Sequence, residues 1–414
     1  MPSKHPPAPP VTGPLAGVRV LDMSRVLAGP SCTQILGDLG ADVVKVEKPG
    51  QGDDTRRWGP PYLEDAEGTP TGESSYYLSA NRNKRSLTLD FTKPEGQALA
   101  RRLVGHADVL VENYRTGTLA RYGLGYDDLH IAYPRLVYCS ITGFGQTGPY
   151  AARAGYDFMV QGMGGIMSLT GEPGGQPMKT GVAIADLMAG TYAAIGILAA
   201  LRHRDLSGRG QHLDMALLDT QVAWLSNAGQ YFLTSGTPVP RTGNGHPTIV
   251  PYQTFEAADG WIILAVGNDE QFRRFCTFAG RPELADDPRF ATNPARVGNR
   301  AETVAEVAAL IRRQPAAHWL EGLERLGVPC GPINDIPAVF ADPQVQARGM
   351  RVSLEHAAAG GPVDLIGSPV RLSETPVNYR YAPPTLGQHT ETVLSDWLHM
   401  QPDEVARLRQ TGVI

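Results

Sequence analysis

Along the first 145 residues, short apolar runs alternate with segments of helical period. An apolar strand at residues 18–22 (VRVLD) is followed by a helical pattern over 30–39, a strand at 43–47 (VVKVE), a polar Gly/Pro loop and a strand at 86–91 (SLTLDF). A helix over 94–106, a strand at 108–113 (DVLVEN), a helix near Tyr126 and the run LVYCSITGFG at 136–145 complete the series. Strands alternating with helices predict a parallel, doubly wound sheet. In such sheets ligands bind beyond the carboxyl ends of the strands.

From Asp186 to about Leu233 the pattern is helical, broken at 207–211 (SGRGQ). The longest apolar run, 187–200, is dense in Gly and Ala and suits a tightly packed core helix. It falls short of the ~18 apolar residues of a membrane span, so no membrane is expected. Between about Pro240 and Pro332 the character changes. A glycine-rich loop, TGNGHPT, leads into PYQTFEAADGWIILAVG, which predicts a hairpin turning at Asp259-Gly260, and helices follow. The expected organisation is an α/β fold. It has a disordered arm over 1–14, a large Rossmann-like domain with a helical linker over 15–234, a smaller α+β domain over 235–332, and a segment over 333–414 that returns to the large domain. No internal repeat is present.

Composition narrows the class. Of 414 residues, 42% are hydrophobic and 19% charged, enough for a sizeable core and too apolar for global disorder. The net charge of −5 argues against a protein held to nucleic acid by phosphate contacts. Cys32, Cys139, Cys276 and Cys330 have no CxxC or Cys/His spacing, so neither a disulfide scaffold nor a structural zinc site is expected. The proline-rich start MPSKHPPAPPVTGP lacks the apolar run of a signal peptide. A cytoplasmic enzyme is the expectation.

Three places could carry chemistry. The first βα turn reads MSRVLAGPSCTQ, which is not GxGxxG; a P-loop, HExxH and GxSxG are also missing from the chain. Asp186, in GVAIADLMAG, is a lone carboxylate at a helix start. It reads either as a helix cap or as a nucleophile kept ionised by the helix terminus. The run SANRNKRSLTLDF places Asn81, Arg82, Asn83, Lys84 and Arg85 before a strand. That cluster reads either as a solvated rim or structural corner, or as a cradle for a phosphorylated cofactor.

Several segments, taken together, resemble family III CoA-transferases of the CaiB/BaiF type. They are PLAGVRVLDMSRVLAGPSCTQILGDLGADVVKVEKPGQGDDTR, YYLSANRNKRSLTLDF, DVLVENYRTGTLARYGLGY, GYDFMVQGMGGIMSLTG, GVAIADLMAG, SGRGQHLDMALLD, VPCGPIND and LGQHT, running in order over nearly the whole chain. The resemblance implies a Rossmann-like large domain, a small domain and an interlocked homodimer. It places the catalytic aspartate at Asp186. It draws the CoA site from Val26, Leu27 and Ala28 of the first turn, together with Lys48, Asn113, Tyr114 and Arg121. Lys48 stands where relatives often have Arg and lacks the fork that grips a phosphate bidentately.

The implied activity moves CoA from an acyl-CoA donor to a free carboxylic acid through an aspartyl anhydride and an aspartyl-CoA thioester. CoA is then a substrate, and no metal or tightly bound cofactor is expected. Racemases of the same fold use a His-Asp pair where this chain has Tyr156-Asp157, and a tyrosine, with an ordinary pKa of ~10, is a poor proton acceptor. A racemase and a non-catalytic CoA-binding relative are therefore the lesser alternatives. The loop with Gly243, Asn244 and Gly245 reads as a lid or as a plain entry to the hairpin. The runs IVPYQTFEAADGWIILAVGNDEQF and DDPRFATNPARVGNR resemble the succinyl-CoA:glutarate branch. Transfer to oxalate, malate, itaconate or an aromatic acid is the alternative. Arg25, Arg82, Arg115 and Arg153 are the candidates to anchor a second carboxylate.

Overall fold

The computed structural model describes residues 12–414; the expected arm lies outside the described residues as far as residue 11. The chain divides into two compact units. One runs to Ile166 and includes Thr180–Gln230 and Val345–Ile414; the other is Met167–Lys179 with Tyr231–Gln344. The smaller unit thus extends beyond the expected boundary at 332, and it takes in a short upstream segment that no local pattern marks.

Six strands of the large unit build its main sheet: β1 (Arg19–Asp22), β2 (Asp42–Glu47), β3 (Lys84–Thr88), β4 (Val109–Glu112), β5 (Val137–Thr142) and β6 (His212–Ala216). They form one sheet in the order β3-β2-β1-β4-β5-β6, and every neighbouring pair is parallel. Both faces are covered, which is why the inner strands are nearly continuous Val, Leu and Ile. Leu21, Val44, Leu110 and Tyr138 pack on one side with Leu99, Leu103 and Trp397. Val20, Val43, Val109, Val137 and Cys139 pack on the other with Leu36 and Ile197.

Three helices of this unit matter for the site: α1 (Ala28–Asp38), α2 (Asp157–Met163) and α3 (Ile184–Ser207). α3 crosses α1 at Gly190, where a Cβ would lie 2.6 Å from the Ala28 carbonyl oxygen and 3.3 Å from the Cys32 nitrogen. Only glycine permits that approach, and it sets the second turn of α3 against the first turn of α1. By length and composition, α3 alone among the described residues qualifies as a membrane span, yet half of its most apolar stretch is buried inside the protein. It serves as the core helix expected from its Gly and Ala content.

One expectation needs correction, and one open reading is decided. The stretch after SGRGQ was expected to be helical, but residues 212–216 form β6, an edge strand in which only Ala216 is buried. The cluster at 81–85 is neither a solvated rim nor a phosphate cradle. All five side chains are buried. Arg82 pairs with Asp38 and donates to the Ile366 carbonyl at 2.7 Å, Lys84 lies 3.0 Å from Asp22, and Arg85 joins Asp42 and Asp396 at 2.7 and 2.8 Å. The cluster is a structural corner, and Arg82 is spent within it. Burial of Lys84 and Arg85 also explains why β3 begins at Lys84, ahead of the apolar run that predicted it.

The smaller unit is α+β. Strands Tyr252–Glu256 and Trp261–Ala265 form the hairpin, and Cys330–Pro332 pairs with the second of them. Helices Asp269–Phe278, Arg300–Ile311 and Ala316–Arg325 belong to this unit. Phe255, Ile262, Leu264, Phe272, Phe275 and Trp319 build its own core. Ahead of the hairpin, Gly243 donates to the Gly171 carbonyl at 3.1 Å, and Asn244 donates to the Thr254 hydroxyl at 3.1 Å.

Candidate active site

Strand order reverses between β1 and β4, and the loops leaving these strands meet there. Asn113, just after β4, binds the Arg25 backbone twice: its Oδ1 accepts the Arg25 N–H at 2.8 Å and its Nδ2 donates to the Arg25 carbonyl at 2.6 Å. The next residue, Val26, has φ 69°, a left-handed conformation that a β-branched residue adopts only under constraint. Leu27 then enters α1 with no side-chain cap, and the first turn of α1 carries no acid. The amides and the positive end of the helix dipole are left to whatever binds there.

Val26, Leu27 and Ala28 line a cavity of about 380 Å³, together with Arg25, Asn113, Tyr114, Arg115, Arg153, Tyr156 and Asp186. Gly143 and Gly155 form part of its wall. A Cβ on either would lie 2.4 Å from the other's Cα, so only two glycines allow these backbones to cross. A second cavity of about 220 Å³ shares Arg25, Asp54 and Tyr114 with the first and adds Lys48, Phe91 and Tyr122. Arg25 is tied to Asp54 at 2.8 Å and lies over the Tyr114 ring.

Asp186 is the third residue of α3, whose N-cap is Ala183, so it does not cap the helix. Among the described residues no hydrogen-bond donor reaches its carboxylate within bonding distance. Burial, and then the charge of Asp157, push its pKa up to about 7. Asp157 opens α2. Its Oδ1 accepts the N–H of Ala185 at 2.8 Å and of Asp186 at 3.4 Å, and its Oδ2 accepts from Gln161 at 2.7 Å.

The structure therefore gathers Arg25, Val26, Leu27, Ala28, Asn113, Tyr114, Tyr156 and Asp186 around one cavity. It puts Lys48 in the adjoining one. Asp157 contacts the backbone that carries Asp186. Arg121 sits exposed on the short turn Ala120–Tyr122 and lines neither cavity. Gly243, Asn244 and Gly245 belong to the smaller unit. Sequence reasoning missed Asp53 and Lys45, a fully buried pair 2.8 Å apart that holds the Val26 turn. The only local signal was a lysine in the middle of an apolar strand.

Residues 15–390 match the family described as CoA-transferase family III. The chain is 52% identical over 396 residues to the succinate–glutarate CoA-transferase of Agrobacterium fabrum, covering 96% of this chain and 97% of that one. It is 43% identical over 401 residues to the human succinyl-CoA:glutarate CoA-transferase, covering 97% and 90%. The crystal structure of a CaiB/BaiF family protein from Brucella suis superposes with a TM-score of 0.85 at 48% identity, covering 93% of this chain and 100% of that one.

Proposed function

The chain belongs to CoA-transferase family III, and from that premise we propose that it moves CoA from succinyl-CoA to glutarate with Asp186 as the nucleophile. One observation carries the assignment of the nucleophile. Of the two carboxylates lining the larger cavity, Asp54 is engaged by Arg25, whereas Asp186 has no donor among the described residues and stands at a helix start.

The chemistry is acyl transfer in four steps. An Asp186 oxygen attacks the succinyl-CoA carbonyl, the C–S bond breaks, and CoA thiolate leaves behind a mixed anhydride. The thiolate then attacks the aspartyl carbonyl, releasing succinate and forming an aspartyl-CoA thioester. A glutarate oxygen attacks that thioester, expelling the thiolate and forming the glutaryl anhydride. The thiolate finally attacks the glutaryl carbonyl, so glutaryl-CoA departs and the Asp186 carboxylate is restored. Uncapped amides at Leu27 and Ala28 suit the negative charge that passes between carboxylate, thiolate and carbonyl oxygen. The thioester arm would run along Asn113 and Tyr114, with Lys48 in the adjoining cavity facing a phosphate.

A homodimer belongs to the same reading. Tyr192, Ile195 and Leu198 on α3, with Val222 and Trp224 on the segment that follows β6, are exposed apolar side chains that a second copy would cover. Native mass spectrometry finding an active monomer would reject the dimer.

The reading is tested by incubating the protein with succinyl-CoA alone and trapping with hydroxylamine. The peptide containing Asp186 should become a hydroxamate, and Asp186→Ala and Asp186→Asn should abolish turnover. Wild-type turnover by Asp186→Ala, or an adduct on a cysteine, would overturn the assignment.

A further inference from the structure

Asp157 lies outside the wall of the larger cavity, yet its geometry ties it to Asp186 in two opposed ways. Through its hydrogen bonds it fixes the nucleophile's backbone: Oδ1 takes the Ala185 and Asp186 amides. These are amides of the first turn of α3, which would otherwise remain unpaired and available to an anion. Gln161 makes the hold rigid. It is fully buried, donates to Asp157 Oδ2 at 2.7 Å, and accepts from the Thr180 backbone at 3.0 Å through its other end. The segment leading into α3 is thereby clamped to α2 by one carboxylate and one carboxamide.

Through its charge the same residue opposes the carboxylate it positions. A second anion placed nearby, without a cation between the two, raises the energy of the ionised nucleophile. The other charged or titratable groups around Asp186 are few. Tyr76, from the helix Ser75–Ser79, feels the Asp186 charge, and burial together with that charge pushes its phenol up to about 12, so it stays neutral. Arg25, Asp54, Arg115 and Arg153 line the same cavity. Asp219, on the helix Leu217–Ala223 that packs on α3, is exposed. No cation among the described residues forms an ion pair with Asp186 or Asp157.

We infer that Asp157 is a positioning residue that both aims Asp186 and strains its ionised form, so that acylation, which converts the Asp186 carboxylate into a neutral anhydride or thioester, relieves the repulsion. The inference rests on Asp186 being the nucleophile. It gives the free enzyme a rate that rises with pH as Asp186 ionises, and it favours the covalent intermediates over the free carboxylate. The hold on the α3 amides and the charge of Asp157 can be separated. Asp157→Asn keeps an oxygen acceptor for both amides, removes the charge and gives up the bond from Gln161, whose donor then faces the new amide nitrogen. Asp157→Ala removes both.

The test follows adduct formation on the Asp186 peptide from succinyl-CoA without acceptor, between pH 5 and 9. In Asp157→Asn the pH midpoint should move at least about one unit toward acid, and the equilibrium constant for adduct formation at pH 8 should fall about tenfold, since one unit and tenfold are the same free energy. In Asp157→Ala the rate should drop at every pH. An unchanged midpoint in Asp157→Asn, whether its rate is normal or reduced, would overturn the inference and leave Asp157 a structural cap. Absence of any adduct in the wild-type protein would instead overturn the transferase mechanism itself, so the two failures are distinguishable. If Asp157→Asn does not fold, the midpoint in Asp157→Glu decides: it keeps the charge and should keep the midpoint near wild type, and a one-unit acid shift there would overturn the inference.

Discussion

Both carboxylate oxygens of Asp53 lie 3.2 Å from the backbone nitrogen of Val26. Asp53 is itself held by Lys45, whose Nζ also donates to the Ser24 carbonyl at 2.9 Å. A fully buried ion pair thus pins the turn at the sheet's switch point from below, while Asn113 pins it from the side. Left-handed φ at a valine costs on the order of 1–3 kcal/mol. The surrounding bonds supply that cost, and the turn they hold is the one that faces the larger cavity. Val26→Gly should therefore be as stable as wild type or more stable, yet bind acyl-CoA more weakly because the turn gains freedom. Thermal unfolding and KM for succinyl-CoA check this together; a loss of stability with unchanged KM would contradict it.

Removing one partner of the pair has the opposite signature. Lys45→Met leaves Asp53 buried without its cation, whereas Asp53→Asn leaves Lys45 with Asp22 and Glu47 as nearby anions. Lys45→Met should cost roughly 3–5 kcal/mol, the usual cost of an orphaned buried charge, and Asp53→Asn less. The double replacement should recover much of that loss. Chemical denaturation of the three variants measures the coupling, and simple additivity would show that the pair is not the source.

Much of the large unit is legible in the sequence, because β1, β2, β4 and β5 are buried on both faces and leave continuous apolar runs. β6 escapes because an edge strand with partly solvated His212, Leu213 and Asp214 has no such run, and its helical neighbours dominate the window. Asp186 is legible only as a carboxylate within a recognisable segment; its helix position alone leaves a cap and a nucleophile open, and the structure seats it at the third helical residue. The cage around Val26 was not legible at all. Asp53 is 27 residues from Val26 and Asn113 is 88 from Arg25, so no local period connects them. Arg121 is the converse case: its place in a matching segment suggests a role, and the structure sets it on an exposed turn outside both cavities.

Glu112 gives a pH prediction. Its Oε2 accepts the Tyr114 N–H at 2.8 Å, yet burial dominates and raises its pKa to about 7; the Ser140 hydroxyl and the Tyr114 amide offset this only in part. A raised acid binds its proton more tightly when folded. Wild-type stability should therefore be fullest below about pH 4.5 on this account, and should fall as pH rises to about 7. Glu112→Gln cannot ionise and keeps an acceptor for Tyr114. Its stability relative to wild type should improve across that window by roughly 3 kcal/mol. Denaturant titrations at pH 5 and pH 8 giving the same difference would refute the role of Glu112.

Lys48 and Arg121 can be told apart by the ester they recognise. Lys48 lines the smaller cavity, while Arg121 lines neither. Lys48→Met should raise KM for succinyl-CoA severalfold with kcat nearly unchanged, the pattern of lost uniform binding. The effect should shrink with a truncated succinyl thioester that lacks the nucleotide. Arg121→Ala should match wild type with both substrates.

The remaining question is which cation meets the far carboxylate of glutarate. Arg82 is withdrawn by its buried pairing with Asp38, and Arg25 is engaged by Asp54 and Tyr114. Arg115 and Arg153 line the larger cavity without a carboxylate partner among the described residues. Arg115 follows directly on Tyr114, at the end the two cavities share, where the thioester arm is expected. Arg153 lies over the Tyr150 and Phe144 rings, 4.5 and 5.4 Å from their centroids, on the segment leading to Asp157. Those rings hold a guanidinium without neutralising it, which leaves its charge for a ligand. Arg153→Met should therefore reduce discrimination of glutarate over butyrate by roughly 10–100-fold, the worth of one charge-assisted hydrogen bond, mostly through KM for glutarate. Arg115→Met should leave that ratio near wild type. If the two results are exchanged, Arg115 is the anchor. If the wild-type protein takes butyrate as readily as glutarate, no arginine reads a second carboxylate and the acceptor is not selected as a dicarboxylate.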